Sequence, residues 1–129
     1  MLRIDKDNTI SIPRGDSGVF LIELDTTMEF TEEDKSIFAI KRSKSKEPAI
    51  YKIIPIIKVN DVYTITVRLS NEDTRNLLGD YEWDIRIVKD ALINDEGRIV
   101  AGDVISDVHS LFALDSLPIF HIVEVSADV

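Results

Sequence analysis

The side chains best equipped for covalent or acid–base chemistry in this chain are a serine in a glycine-flanked turn, two histidines and scattered carboxylates. Gly15-Asp16-Ser17-Gly18 has the form of a nucleophile signature, in which backbone N–H groups around the serine hydroxyl make an oxyanion hole. The residue after the motif is Val19 instead of glycine, no histidine precedes Gly15, and the histidines are His109 and His121. A triad is defined by roles and not by chain order, but a turn entering a strand accounts for the same residues more simply. The overlapping Arg14-Gly15-Asp16-Ser17 sets a cation beside an anion, as integrin-binding tripeptides do. The plainer reading is again a tight turn, with Gly15 in a left-handed or close-packed conformation and Asp16 capping the backbone.

Metal and cofactor signals are weak. Asp5-Lys6-Asp7-Asn8 begins like a calcium loop but lacks the glycine at the sixth position and the glutamate at the twelfth. Glu32-Glu33-Asp34 and Asp95-Glu96 are small acidic clusters beside turns, positions that are usually just solvated. Neither histidine has ligand spacing, and no Walker loop, GxGxxG or GxSxG is present. A glycosidase pair of carboxylates is a spatial arrangement that nothing in the sequence selects. The expectation is therefore no catalytic residue, no cofactor, no metal and no enzyme.

Composition narrows the partners. Fifteen basic against 24 acidic side chains give a net charge of −9, which would repel a phosphate backbone. The chain has no cysteine, so a disulfide framework, a thiolate nucleophile and a Cys-ligated metal are ruled out. The longest apolar run, around Ile53–Ile57, is interrupted by Pro55 and falls far short of the ~20 residues of a membrane span. Met1–Asn8 carries charge where a signal peptide needs its apolar region. Neither nucleic acid nor membrane is expected as a partner, and the 129 residues suit one domain over 1–129.

Period-two alternation dominates the elements. Tyr81, Trp83, Ile85 and Ile87 share one face of a strand whose other face is Glu82, Asp84 and Arg86. Val62–Leu69, Gly18–Asp25, Ser36–Arg42 and Ile119–Val125 read the same way. Ala49–Val59 reads as a strand with Pro55 at a sheet edge or bulge. Turns are predicted at Pro13–Asp16, Val59-Asn60-Asp61 and Asn94–Gly97. Capping-box spacing at Ser70–Asp73, with Gly79 as a stop, and at Thr31–Asp34 predicts two short helical turns. Ile99–Leu114 is ambiguous and is read as one or two strands. Many short strands at this spacing favour a β-sandwich over a barrel.

Asp73-x5-Gly79-Asp80-Tyr81-x-Trp83 looks like the corner before the penultimate strand of an immunoglobulin-type sandwich. There a tyrosine hydroxyl bonds to the chain just upstream, and Trp83 would fill the centre. A hairpin-proximal aromatic pair is the other reading. Ile10-x-Ile12-x-Arg14-Gly15-Asp16-Ser17, Phe20-x-Ile22-x-Leu24, Phe38-Ala39-Ile40-Lys41 and Ser70–Ile85 together resemble the small immunoglobulin-like domains of tailed-phage and prophage structural proteins. The N-terminal module of baseplate upper proteins is among these domains. The resemblance covers roughly residues 8–89; beyond Asp90 the chain inserts an elaborated segment across 91–117, and it looks like the stand-alone module.

The resemblance implies an all-β, immunoglobulin-like antiparallel sandwich of about seven to nine strands with one or two short helical turns. It implies a non-enzymatic virion structural or assembly module of the tail or baseplate, made in a bacterial cytoplasm and released by lysis. Its partners would be other structural proteins of the particle or copies of itself. Structural positions are then Tyr81, Trp83, Gly79, Asp73 and Gly15, and the isoleucine-rich strand offers Ile50, Ile54, Ile56 and the edge guard Pro55 as an interface. A carbohydrate- or cell-surface-binding sandwich is the alternative, with Tyr51, Phe112 and Phe120 as candidate platforms.

Overall fold

The computed structural model describes residues 1–25 and 27–125. In chain order the elements are β1 (Arg3–Ile4), β2 (Ile10–Pro13), β3 (Gly18–Glu23), β4 (Lys35–Lys41), β5 (Ile50–Pro55), β6 (Ile57–Val59) and β7 (Val62–Leu69). They continue with α1 (Asn71–Arg75), β8 (Gly79–Ile93), β9 (Ile99–Ser106), α2 (Val108–Phe112) and β10 (Ile119–Val123). One open sheet has the order β1-β2-β10-β8-β4-β5, with β9 paired to the far end of β8; a second has the order β3-β7-β6. Neither sheet closes into a barrel.

Alternation sets which side chains meet between the layers. Tyr81, Trp83, Ile85 and Ile87 of β8 are all buried, as are Phe38 and Ile40 of β4. Phe20 of the small sheet meets Phe38 and Trp83 of the large one edge-on, at centroid distances of 5.7 and 6.5 Å. One apolar cluster runs through both layers. Val88 is buried as well but lies outside that cluster: alternation with β4 continues through Ile87 and Val88, and Val88 is covered on the other face by β9 at Gly102.

Several expectations change. The large sheet is mixed: β2 runs parallel to β10, pairing Ile10–Pro13 with Phe120–Val123. Strands this far apart in sequence need no tight hairpin and can pair in either sense. The strand predicted over Ala49–Val59 splits at Ile56, so that β5 belongs to the large sheet and β6 to the small one. A chain crossing between layers needs apolar side chains toward both, and this accounts for the isoleucines. Ile50, Ile54 and Ile56 are 7%, 8% and 9% exposed and pack into the chain's own core instead of standing out as the expected interface; Pro55 alone of that group is exposed.

The capping box at Ser70 forms α1 as predicted, with reciprocal bonds between Ser70 and Asp73. The same spacing at Thr31–Asp34 gives a turn and no helix. Asp34 does accept from Thr31 N–H at 2.8 Å, but its second oxygen is drawn to another element. The second helix is α2, inside the segment read as strands, capped by Asp107 and ended by Ala113 in a left-handed conformation. Asn60 and Asp61, with φ of 50° and 67°, make the two-residue hairpin between β6 and β7.

Candidate functional site

The Arg14–Ser17 turn is fastened to α1. Asp16 N–H donates to Pro13 O at 3.0 Å and Gly15 has φ of 85°, the positive value a type II turn needs at its third residue. Gly15 N–H donates to the Thr74 hydroxyl at 2.9 Å, and that hydroxyl donates to Asp16 O at 2.8 Å. Asn71 Nδ2 donates to Gly15 O at 2.8 Å. The Asp16 carboxylate pairs with the Met1 ammonium. Ser17 is exposed, while His109 Nδ1 bonds the Leu114 carbonyl and His121 Nδ1 bonds the Asp80 carboxylate. Both imidazoles are thus engaged away from the serine, and the turn is a structural joint.

The corner before β8 is built from backbone and aromatic groups. Gly79 has φ of 90°. Leu78 N–H donates to the Tyr81 hydroxyl at 3.3 Å, and the Arg42 guanidinium stacks 4.0 Å over the Tyr81 ring while donating to Leu78 O and Asp80 O. Trp83 is 2% exposed, and its Nε1–H donates to Asn8 O at 3.0 Å. Asp73 joins the corner to β5 through Lys52 at 2.9 Å. Partial burial would raise the Asp73 pKa, but the bonds from Ser70 and the Lys52 ammonium hold it below the ordinary carboxylate value.

Beyond Val88, β8 and β9 leave the core as a hairpin arm. Leu92, Val100 and Val104 on it are 60%, 57% and 58% exposed. Its base is clamped by residues 29–34. Asp34, 1% exposed, accepts from Lys89 Nζ at 3.0 Å, Asp90 N–H at 2.9 Å and Thr31 N–H at 2.8 Å. Ala91 N–H donates to Glu33 O at 2.9 Å. Burial would raise the Asp34 pKa, but two backbone donors and the Lys89 ammonium hold it below the usual carboxylate range. The clamp fixes Asp90 at φ 53°, where β8 is bulged against β9. The acidic cluster read as solvent-facing therefore contains the buried group that sets the arm's direction. The matching signal, a carboxylate after Thr31 at capping distance, was legible; its long-range partner was not.

The turn of the arm folds back over the outer face of the large sheet. Arg98 stacks 4.3 Å over the Tyr51 ring, and Ile99 N–H donates to the Tyr51 hydroxyl at 3.2 Å. They frame a groove of about 300 Å³ whose floor is Ile37 and Ala39 and whose rim includes Lys41, Glu82 and Arg86. The other aromatics proposed as platforms lie elsewhere: Phe112 packs against Trp83 at 5.7 Å and Phe120 is fully buried. No protein-family model, curated protein or solved structure matches this chain.

Proposed function

We propose that the chain is a non-enzymatic structural module of a tailed-phage or prophage particle, in the tail or baseplate, acting through protein contacts. The sheet order supports an immunoglobulin-like sandwich: β3-β7-β6 repeats the B-E-D order of one immunoglobulin sheet, and β10-β8-β4-β5 the G-F-C-C′ order of the other. The bond between Tyr81 and Leu78 and the buried indole agree with the corner of that fold.

The observation that carries the functional reading is the arm. A hairpin that holds Leu92, Val100 and Val104 more than half exposed, on a base fixed by a buried carboxylate, is built to meet another protein. Its expected partners are structural proteins of the particle or another copy of the chain. Probing density-banded particles from the source strain with an antibody to the chain tests this. Detection at a constant ratio to the major structural proteins supports the reading, and confinement of the chain to the unbanded soluble fraction overturns it.

Carbohydrate binding is the second reading, favoured only by Tyr51 in its groove. The ring is already covered by Arg98 and its hydroxyl is engaged, so a sugar would have to displace both contacts. A glycan array without hits removes this alternative.

A further inference from the structure

We infer that the free edge of β7 is a slot for an extended segment of a partner protein, one that alternates apolar with acidic residues. The inference rests on the reading that the chain works through protein contacts, and it names a second contact besides the arm.

The slot follows from the register. β6 pairs with β7 only over Ile57–Val59 against Val62–Thr64, and the chain then crosses at Ile56 into the other layer. The two-residue turn makes Val59 and Val62 a hydrogen-bonded pair, so Val62, Thr64, Thr66 and Arg68 turn their N–H and C=O groups toward the β6 side. Tyr63, Ile65 and Val67 turn theirs toward β3, in keeping with the Leu24 N–H to Tyr63 O bond of 2.9 Å. Beyond Thr64 no strand among the described residues pairs with β7 on the β6 side. The backbone groups of Thr66 and Arg68 instead face a groove of about 470 Å³ between β7 and β5.

The groove wall states what fits. Ile53, Ile54, Pro55 and Ile57 supply apolar surface, and the charged lining residues are Lys52 and Arg68. The lining thus carries two cations and no acid, on a chain of net charge −9. Lys52 is paired with Asp73, whereas Arg68 is exposed and forms no ion pair among the described residues. A strand added here extends the small sheet. Its inward side chains would rest on the isoleucines and its outward acids would lie beside Arg68, the usual division between backbone affinity and side-chain specificity in β-strand addition.

The test uses the full ¹⁵N-labelled chain and two peptides, acetyl-Thr-Val-Glu-Val-Glu-Val-Thr-amide and its version with lysine for glutamate. The acidic peptide should slow amide exchange at Thr66 and Arg68 and bind more tightly than the basic one. Arg68→Glu, an exposed change, should weaken it by at least roughly tenfold. Equal binding of the two peptides, protection confined to other strands, or no binding overturns the slot. A dimer of the chain alone, abolished by Arg68→Glu in sedimentation velocity, would place a second copy in the groove and overturn the acidic partner. Failure of the peptide while the chain still bands with particles removes the slot and leaves the assembly reading standing.

Discussion

Asp34 shows most clearly how one buried side chain can govern a distant surface. It satisfies two backbone N–H groups and one ammonium at the arm's base, so Asp34→Ala would leave the Thr31 and Asp90 N–H groups without their acceptor, while Lys89 keeps its bond to Glu29 O. An unsatisfied buried N–H costs about 1–3 kcal/mol, so the variant should lose at least about 2 kcal/mol, and equilibrium unfolding followed by the fluorescence of the single tryptophan measures it. The folded-state pKa lies below the unfolded value, so the stabilisation is full above the unfolded pKa and is lost as pH falls through the folded one. Asp34→Asn should therefore be less stable than the parent at pH 7, with a gap that narrows as the pH drops below about 4. A gap independent of pH would contradict the clamp. At the corner, Tyr81→Phe leaves Leu78 N–H without its acceptor and should cost about 1 kcal/mol in the same measurement.

Among the elements, those whose faces differ in polarity were legible and those set by long-range contacts were not. Val62–Leu69 is observed over the range its alternation predicts, and Ser70–Asp73 forms its capping box because both partners are local. Ala49–Val59 misled because an isoleucine run does not reveal a crossing from one sheet to another. α2 was missed because one short turn leaves too few residues for a 3.6-residue period. The arm's curvature depends on Gly102, whose φ is 137° and where an added Cβ would stand 2.6 Å from Val88 Cγ1 and 2.9 Å from the Lys89 carbonyl. Gly102→Ala should accelerate amide exchange along β9 and lower stability by more than about 1 kcal/mol. Gly97→Ala, with nothing within 4 Å of the added atom, carries only its φ penalty of about 1 kcal/mol. Equal effects at the two glycines would argue against a tightly packed bend.

On the scale of the whole molecule, the core is spoken for and the surfaces are not. Tyr81, Trp83, Gly79, Asp73 and Gly15 hold the two layers and their corner, while the residues left facing solvent include the apolar side chains of the arm. The division of the chain into an inward and an outward set was readable from alternation. Which outward residues gather into one feature was not, because the arm draws them from strands whose register bulges twice after Lys89. The most direct measurement compares hydroxyl-radical labelling of the chain free in solution with the chain in purified particles. Leu92, Val100 and Val104 should be labelled when free and shielded in the particle, with Phe38 and Trp83 shielded in both. Equal labelling of the arm in the two states, or absence of the chain from the particles, would contradict a role built on docking surfaces.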